Sequence, residues 1–359
     1  MKKEIVLFIP SIERGGVEKN FFLISKYLVK KFKKIIIITA NTDYKNKFDK
    51  NIIVICPNSL LWSSKIRLLK TIISLFLLLK NFFNKNILIL SFQSNVPLIL
   101  VSKLFNFRII IRLNTSTKKY IKGTFKILFY KIIYSFADQI IVNSLYFKKE
   151  LKKYLKLNSQ LIYNPFQSSN KKENLNFFKN FKGLKILTIG RLTDQKDQIT
   201  LLKSLSLLMK NKLNFRCCII GSGYKKKYLK SYIIDNKLNR FVKLLGYKYN
   251  AENYLNTCNL FVLTSKFEGL PNVLIEAQSK NIPIISSNCP TGPKEILLNG
   301  KLGDLFNVGD YKKLHFLILK FSKNKKILLN KAKKKKISLK RFDYKKNCEK
   351  YCSIITNYR

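Results

Sequence analysis

Acidic residues are scarce in this sequence. Nineteen Asp and Glu stand against 70 Lys and Arg in 359 residues, which leaves a formal net charge of +51. An excess of this size favours anionic partners, such as nucleic acid, an acidic membrane surface or phosphorylated substrates. A codon-biased, AT-rich genome that fills solvated positions with Lys, Asn and Ile is an alternative source of the same excess. The charge therefore narrows the class of partner without choosing one.

Patterns for metal ligation and for disulfides are also missing. The seven cysteines are scattered, odd in number and at no zinc-site spacing, which fits a reducing compartment. There is one histidine, His315, and no Asp-x-Asp pair of the kind that holds a catalytic metal after a strand. The sequence therefore predicts a cytoplasmic protein without a metal site.

Long apolar runs are absent as well. The most apolar helix candidate, residues 66–83, contains only nine uncharged residues in a row, Thr71 to Leu79, whereas a membrane span needs about twenty. The apolar run from Ile5 to Pro10 is too short for the core of a signal peptide. From the positive charge and this apolar helix we expect a peripheral protein on the inner face of the cell membrane.

The chain does contain a regular alternation of short apolar runs with longer amphipathic stretches. This pattern predicts parallel sheets covered by helices, and the length suits two domains. We predict an α/β protein with one Rossmann-like domain over residues 1–167 and a second over residues 183–340. A polar stretch rich in Lys and Asn marks the linker at residues 168–182.

One stretch, FEGLPNVLIE from Phe267 to Glu276, joins an apolar strand to a helix with a carboxylate on each side of the junction. Gly269 and Pro271 indicate a turn and a helix that begins near Pro271, so Glu268 lies on the loop and Glu276 about one turn inside the helix. Between them, the unpaired N–H groups of the helix N-terminus attract an anion. A nucleotide-sugar, with hydroxyls, phosphate and hydroxyls in that order, suits this arrangement. An ordinary strand-turn-helix with two solvated glutamates is the alternative.

A basic loop, GRLTDQK from Gly190 to Lys196, follows another apolar strand. Arg191 and Lys196 are then two cations at the carboxyl end of a parallel strand, where ligands gather in such sheets. This position suits a diphosphate. In so basic a chain, a solvated loop is the alternative for either residue alone.

Together these two stretches resemble the signatures of the retaining glycosyltransferases of family four, whose GT-B fold has two Rossmann-like domains facing a cleft. The resemblance extends over essentially the whole chain and is strongest from Leu184 to Asp310. It implies that Glu268 orients the donor sugar and stabilises developing positive charge, and that Glu276 holds the ribose hydroxyls. Arg191 and Lys196 would neutralise the leaving diphosphate. The resemblance also implies that a last helix, residues 341–359, crosses back to the N-terminal domain.

The resemblance implies further contacts to the donor. They come from the turn that opens the helix of the central motif and from the ends of two other strands: Gly269, Leu270, Pro271, Asn272, Gly221, Gly246 and Tyr247. Gly221 begins a GSG sequence that suggests a dinucleotide site, but Lys226 stands where that motif needs its third glycine. The resemblance implies that Gly246 lies beside the base of a nucleotide-sugar, with Tyr247 or its backbone near the ring.

The N-terminal half offers weaker signals for the diphosphate and the acceptor. Gly15 and Gly16 follow the first strand, and the resemblance implies a close backbone approach to the diphosphate and acceptor; a simple turn is the alternative. Arg112 and Asn114 end the fifth strand and can meet the sugar or acceptor, while Asn164 ends the last strand of this half. The family often has a histidine in this half, and this chain has none there.

The segment CPTGPKEIL, residues 289–297, resembles a branch of the family that transfers hexoses or N-acetylhexosamines onto lipid-linked and surface glycans. We therefore predict a retaining transferase that moves such a sugar from a UDP-sugar to a glycan or polyprenyl-diphosphate-linked oligosaccharide, without metal or cofactor. The process would be the biosynthesis of surface polysaccharide, lipopolysaccharide or glycoprotein glycans.

Two alternatives stay open. A nucleotide-sugar epimerase of the same fold usually needs several acid, base and His groups in its cleft. A basic nucleic-acid-binding protein would fit the charge, but the chain has no zinc spacing or aromatic RNA-binding stretch, and its lysines outnumber the arginines that base recognition favours. We expect no specific nucleic-acid partner.

Overall fold

The computed structural model describes residues 4–13, 15–58, 66–115, 123–169, 171–334 and 336–358. The chain divides into two compact units, Met1–Pro165 with Asp343–Arg359, and Phe166–Phe342, which we call the first and second domains. The division falls just before the predicted end of the first domain. Residues 168–182, predicted as the linker, are part of the second domain.

The first domain contains a parallel sheet of seven strands in the order β3-β2-β1-β4-β5-β6-β7. Its central strands are nearly continuous runs of Ile, Leu and Val, as expected when helices cover both faces of a parallel sheet. In chain order the strands are β1 Glu4–Phe8, β2 Lys34–Ile38, β3 Ile52–Ile55, β4 Leu88–Ser91, β5 Arg108–Leu113, β6 Gln139–Val142 and β7 Gln160–Leu161.

The second domain contains a parallel sheet of six strands in the order β10-β9-β8-β11-β12-β13. Its core strands are almost fully buried, again through apolar side chains on both faces. The strands are β8 Leu184–Ile189, β9 Phe215–Ile220, β10 Val242–Leu244, β11 Leu260–Leu263, β12 Ile284–Ser287 and β13 Asp304–Phe306.

Helices connect the strands in both domains. In chain order they are α1 Gly16–Leu28, α2 Arg67–Phe82, α3 Asn95–Leu104, α4 Thr124–Ser135, α5 Leu145–Glu150, α6 Gln198–Lys210, α7 Lys226–Asp235, α8 Asn272–Ser279, α9 Gly292–Ile296, α10 Tyr311–Lys323, α11 Lys325–Lys333, α12 Lys336–Leu339 and α13 Tyr344–Asn357. Side chains cap the starts of two of these helices: Ser144 accepts from the Phe147 N–H before α5, and Asp310 accepts from the Lys313 N–H before α10.

The helices of the first domain cover its sheet in two layers. On one face, α1 and the chain's last helix α13 pack together on the sheet, with Phe21 and Tyr351 in the same core. On the other face, α2, α3, α4 and α5 form a second core that includes Leu78, Leu98 and Ile133. In the second domain, α6, α7, α10 and α11 pack on one face of the sheet, and α8 lies against β12 and α9.

The predicted fold class is confirmed. The predicted alternation of buried strands with helices is present in both domains. β13 was not predicted, because it has three residues, begins with Asp304 and lies in a glycine-punctuated stretch. The helix of the central motif begins at Asn272, with Pro271 as its N-cap in extended conformation, one residue later than predicted.

Candidate active site

The two predicted signatures meet at the carboxyl edge of the second sheet. From β8 the chain moves to β9 on one side, whereas β11 pairs with β8 on the other side. The position between β8 and β11 is therefore the topological switch point of the sheet, where open α/β sheets bind their ligands. The basic loop follows β8 and the FEGLP loop follows β11, so both border this point.

An ion pair bridges the switch point. Lys196 Nζ, from the loop after β8, lies 2.5 Å from Glu268 Oε1, from the loop after β11. The Ser265 hydroxyl donates to the same carboxylate oxygen at 2.6 Å. Glu268 is buried and the Lys196 side chain is only 16% exposed. Charge-assisted bonds in such a desolvated place hold the carboxylate in one position.

The basic loop and the FEGLP loop are also joined through backbone groups. The Thr264 hydroxyl donates to the carbonyl oxygen of Lys196 at 2.9 Å, and the Gln195 side-chain amide donates to the carbonyl oxygen of Phe267 at 3.1 Å. These bonds flank the ion pair on both sides. The lysine and the glutamate are therefore held by the loops that carry them as well as by each other.

On its other side, the FEGLP loop is bound to the CPTGP loop that follows β12. The Glu268 N–H donates to the carbonyl oxygen of Pro290 at 2.7 Å, and the Thr291 N–H donates back to the carbonyl oxygen of Glu268 at 3.1 Å. A Cβ on Gly292 would lie 2.3 Å from the carbonyl oxygen of Gly269 and 2.5 Å from Pro271 Cδ. Glycine is therefore required where the two loops cross.

Glycines also permit close contact between the loops after β8 and β9. A Cβ on Gly221 would lie 1.8 Å from the carbonyl oxygen of Gly190, and one on Gly223 would lie 2.2 Å from the carbonyl oxygen of Leu192. The Gly221 N–H in turn donates to the carbonyl oxygen of Gly246, after β10, at 2.8 Å. The predicted donor residues Gly221 and Gly246 thus lie together at the same edge of the sheet as Arg191, with Tyr247 next in the chain.

Arg191 is exposed, in contrast to Lys196. Its carbonyl oxygen accepts from the Gln198 side chain at 2.9 Å, which fixes its backbone to the start of α6. The backbone of Arg191 is therefore fixed just after β8, and its exposed side chain adds a permanent positive charge to this loop.

Glu276 lies in the second turn of α8 and is buried. Its helix begins at the FEGLP turn, so the sequence from Glu268 to Glu276 passes through the N-terminus of α8, with Leu270 buried and Asn272 half-buried at its start. The first N–H groups of a helix attract anions. A carboxylate thus stands on each side of an anion-attracting helix end, as the sequence predicts.

A buried thiol lies close to the ion pair. Burial, aided by the negative charge of Glu268, raises the pKa of Cys289 to about 12. The thiol is therefore neutral near pH 7. Because a thiolate is the nucleophilic form, Cys289 fills space beside the site and does not supply a nucleophile.

In the first domain, Gly15 and Gly16 open α1 directly after β1. Gly15 is the N-cap in extended conformation, and a Cβ there would lie 2.7 Å from Glu18 Oε2. The buried Glu18 accepts from the Gln93 side-chain amide at 3.1 Å. Because glycine has no side chain, neither Gly15 nor Gly16 covers the backbone at the carboxyl edge of the first sheet.

Arg112 has no exposed surface. Its Nε donates to the Tyr351 hydroxyl at 2.8 Å, its Nη2 donates to Asn164 Oδ1 at 2.7 Å and its Nη1 donates to Asn114 Oδ1. Asn114 also donates to the carbonyl oxygen of Phe92. The structure thus brings Arg112, Asn114 and Asn164 together, with Arg112 and Asn164 buried and Asn114 half-buried. A direct contact of Arg112 with the sugar or acceptor needs an exposed guanidinium, and this one is enclosed.

Three polar residues of the second-domain site were not predicted: Ser265, Gln195 and Thr291. Ser265 lies three residues before Glu268, on the loop predicted after the apolar strand. Its closeness to the motif is the signal that could have identified it from the sequence. Gln195 and Thr291 act through backbone carbonyl groups, for which a sequence gives no signal. His315, outside the site, lies in α10 within 3.3 Å of the Asn211 side chain.

The described part of the chain contains neither a metal-ligand cluster nor a membrane span. No group of three or more His, Cys, Asp or Glu among these residues could hold a metal ion. Over the same residues, no helix has both the length and the apolarity to span a bilayer.

Known proteins share this sequence pattern. Residues 169–339 match the family model described as glycosyl transferases group 1. An uncharacterized glycosyltransferase of Methanocaldococcus jannaschii is 33% identical over 309 residues, covering 79% of this chain and 75% of that protein. A Campylobacter jejuni enzyme named as an N-acetylgalactosamine-N,N'-diacetylbacillosaminyl-diphospho-undecaprenol 4-alpha-N-acetylgalactosaminyltransferase is 27% identical over 61% of this chain and 62% of its own length.

Among solved structures, Anabaena HepE in complex with UDP and glucose is similar over 99% of both chains, with a TM-score of 0.80 and 17% identity. At that identity the likeness bears on the fold alone, which is the GT-B fold of two Rossmann-like domains. The family assignment rests on the match to the Methanocaldococcus protein, which extends over most of both chains. This chain belongs to the glycosyl transferases of group 1.

Proposed function

We propose that this glycosyltransferase moves a hexose or N-acetylhexosamine from a UDP-sugar to a glycan acceptor, with retention of the anomeric configuration. The acceptor we propose is a polyprenyl-diphosphate-linked oligosaccharide, and the process is the biosynthesis of a surface polysaccharide or a related glycan. The reaction would take place at the cytoplasmic face of a membrane. Nucleic acid has no specific part in it.

The observation that carries the proposal is the Lys196–Glu268 ion pair at the switch point of the second sheet. The half-buried lysine supplies positive charge for a diphosphate, and the buried carboxylate beside it supplies negative charge for a sugar ring. The N-terminus of α8 and Arg191 add positive charge on the diphosphate side. A nucleotide-sugar, in which a sugar ring is joined to a diphosphate, suits both signs in this order.

In the proposed reaction the bond between the sugar C1 and the distal phosphate oxygen breaks, and a bond forms between C1 and an acceptor oxygen on the same face. The proton of the acceptor hydroxyl passes to the departing phosphate. Lys196, Arg191 and the first amides of α8 stabilise the charge on the diphosphate, while Glu268 stabilises the positive charge that develops on the ring. Glu276 holds the ribose hydroxyls.

No metal or cofactor enters this scheme. The sequence has no Asp-x-Asp pair, and Arg191 and Lys196 supply the charge that such a pair would otherwise recruit through a metal ion. Electrostatic groups of this kind are typically worth about a hundred- to thousandfold in rate each. Activity in EDTA is therefore the expected result.

The relatives support the choice of donor and acceptor. The names of the similar structures include UDP and UDP-glucose for Anabaena HepE. The name of the Campylobacter relative specifies an undecaprenol-diphosphate-linked acceptor and the sugar N-acetylgalactosamine. Another relative, from Staphylococcus aureus, is named for capsular polysaccharide biosynthesis.

The test is calorimetric binding of UDP, GDP and a panel of UDP-sugars in EDTA, followed by transfer assays with polyprenyl-diphosphate-linked acceptors. Arg191→Ala and Glu276→Gln should each weaken binding of the preferred nucleotide about tenfold or more. Lys331→Ala is the matched control, because it breaks another lysine ion pair of the second domain, with Asp304 at the amino end of β13. It should leave nucleotide affinity unchanged.

Two results would contradict the proposal. One is the absence of binding to any nucleotide, or binding that is equally indifferent to all three substitutions. The other is conversion of one UDP-sugar into its epimer without an acceptor, which is the outcome that the epimerase alternative requires. Proton NMR of the sugar product distinguishes transfer with retention from epimerisation.

A further inference from the structure

The first domain carries a surface formed by the outer sides of α2, α3 and α4 that is both apolar and basic. These helices pack side by side on one face of the sheet and belong to one core. At their N-terminal ends, the Thr71 hydroxyl of α2 lies 2.7 Å from the hydroxyl of Ser94, which precedes α3. At the other ends, Lys103 of α3 lies 5.6 Å from the ring centroid of Phe136, which follows α4. We call their outer side the α2–α4 face.

Apolar side chains on this face recur at helical spacing. The most exposed are Phe125, Leu104 and Leu68, at 91%, 79% and 68% of their full exposure. Residues three, four or seven positions apart line up on one side of a helix, and the exposed residues of α2 and α4 follow this spacing. The members of the face are Leu68, Leu69, Ile72, Phe76, Leu100, Leu104, Phe125, Leu128, Phe129 and Ile132.

The charges around these residues are of one sign. No Asp or Glu occurs between Asp49 and Asp138, so none lies in any of the three helices. Exposed cations border the apolar stripes: Arg67, Lys80, Lys103, Lys126 and Lys131. A basic surface with an exposed apolar stripe is the pattern that lies in a membrane interface, with its apolar side chains among the acyl chains and its cations at anionic headgroups.

The described residues of the second domain do not repeat the pattern. Their exposed Phe and aliphatic side chains occur singly on their helices or off one another's side, as with Ile234, Phe316 and Ile327, and the one exposed aromatic pair four residues apart among them, Tyr224 and Tyr228, carries polar hydroxyls. The basic composition is common to both domains, whereas the apolar stripes occur on the α2–α4 face. Composition bias that spreads lysine over the surface therefore does not account for this face.

We propose that the α2–α4 face docks on an anionic lipid bilayer and lies in its interface without crossing it. The exposed cations around the face, with no acidic residue among them, are complementary in charge to an anionic bilayer. They argue against a second copy of this chain as the partner, because two such basic faces would repel each other. The contact is specific to helices of the first domain and does not require a bound nucleotide.

This placement bears on the proposed function, on which the following step rests. In a parallel sheet the crossover helices begin at the carboxyl edge of the strands. The first turns of α2 and α4, with Leu68 and Phe125, therefore lie at the same edge as Gly15 and Asn114. A bilayer on the α2–α4 face would deliver a lipid-linked acceptor to that edge of the first domain.

The experiment is flotation of the full chain with vesicles of phosphatidylcholine containing about one third phosphatidylglycerol, compared with phosphatidylcholine alone. We expect binding to the anionic vesicles that weakens at least tenfold in about 0.5 M salt. The double substitution Phe125→Ser, Phe129→Ser should reduce the partition coefficient roughly tenfold or more, since it removes two exposed rings from the interface.

The matched control is Phe316→Ser, an exposed phenylalanine beside Lys313 on α10 of the second domain. It should leave the partition unchanged. All of these side chains are exposed, so folding is retained, and circular dichroism and UDP binding verify this. UDP affinity of the double variant should equal that of the unmodified protein, which separates failure of docking from failure of the proposed catalytic site.

Three outcomes would overturn the proposal. The first is no binding of the unmodified chain to anionic vesicles. The second is equal loss of binding in the α4 double variant and in Phe316→Ser, which would assign the attraction to general charge and apolarity. The third is a dimer in solution, by light scattering, that the α4 substitutions dissociate while vesicle binding is absent.

Discussion

The carboxyl edges of the two sheets differ in the groups that surround a positively charged side chain. In the second domain, Lys196 faces a carboxylate, Glu268, at 2.5 Å and keeps some exposure to solvent. In the first domain, Arg112 is fully buried, and its partners in the structure are a tyrosine hydroxyl and two asparagine side chains. Both charges lie at the edge where a Rossmann-like sheet binds ligands, but only the Lys196 side chain keeps exposure to solvent.

The difference separates a reactive charge from a structural one. An ion pair can exchange its partner for a ligand phosphate, because the carboxylate and the phosphate compete for the same donor. A buried guanidinium that donates to neutral groups of its own domain has no such exchange available. Tyr351 belongs to α13, the last helix of the chain, so Arg112 connects the C-terminal segment to β5 in the middle of the first domain. We therefore infer that Arg112 stabilises the fold and that Lys196 serves the chemistry.

The largest expected effect is on the second-domain pair. Lys196→Ala and Glu268→Gln should each lower the rate of sugar transfer about a hundred- to thousandfold, because each removes one of the two charges that the transition state needs. The double variant should be little slower than either single variant, since the two residues act through one contact. Steady-state rates with saturating donor measure this.

A control for that comparison is Lys331→Ala, which breaks an ion pair with Asp304 at the opposite end of the sheet and should retain full activity. If Lys196→Ala were no slower than Lys331→Ala, the ion pair at the switch point would be structural, and the contrast between the two domains would disappear.

The next effect is on stability and belongs to the first domain. Arg112→Leu should lower the free energy of unfolding by about 3 kcal/mol, because the Tyr351, Asn114 and Asn164 side chains lose a buried donor. UDP binding by the second domain should persist. Urea unfolding and calorimetry measure the two properties on the same preparation.

Tyr351→Phe is the conservative companion to Arg112→Leu. It removes one hydrogen bond and leaves the ring packed against α1 and the sheet, so we expect a loss of about 1 kcal/mol. Loss of UDP affinity in Arg112→Leu, without loss of stability, would contradict the structural role and restore the expectation of a ligand contact.

Ser265 provides a smaller, sharper test of the second-domain site. Its hydroxyl donates to the same Glu268 oxygen as Lys196 does, so Ser265→Ala should release the carboxylate partly and lower kcat about tenfold, the equivalent of one hydrogen bond of roughly 1.4 kcal/mol. KM for the donor should change little. Ser204→Ala, at another buried serine of the domain that bonds to a backbone carbonyl, is the control. Loss of stability in Ser265→Ala with unchanged kcat would assign Ser265 to packing.

The sequence predicts the sheets and the position of the central motif, but it does not predict the contacts between loops. Apolar runs fix buried parallel strands, and glycine and proline fix the turn before α8, so Glu268 and Glu276 could be placed on a loop and a helix from the sequence alone. The strand order sets β8 beside β11, and this adjacency is what brings Lys196 to Glu268. Spacing of 72 residues in the chain carries no such information.

The same limit explains Arg112. A sequence shows an arginine at the end of a strand, which is where ligand-binding residues lie, and the resemblance strengthens that expectation. Its burial depends on Tyr351, which is 239 residues away and reaches it because α13 packs on the same face of the sheet as α1. The prediction that a charged residue is available to a ligand therefore needs the tertiary contacts as well as the strand.

The smallest effect concerns the buried thiols, which are more numerous in the second domain. Burial raises the pKa of Cys217, Cys218, Cys258 and Cys289 in the second domain, and those of Cys348 and the half-buried Cys352 in the first. In the unfolded chain a thiol has its ordinary pKa of 9.0, so between that pH and about 12 the unfolded state binds fewer protons than the native state. The contribution of each thiol to the free energy of unfolding is therefore complete below pH 9. It falls as the pH rises, by about 0.8 kcal/mol per thiol at pH 9.5.

Hydrogen exchange at pH 8 and 9.5 measures this difference between the domains. The loss of protection should be larger in β9 than in β5, because β9 carries Cys218 in the core of the second domain. Cys258→Ala should reduce that loss by one thiol's share. Equal losses in both domains would mean that lysine titration, common to the whole surface, governs alkaline stability in place of the buried thiols.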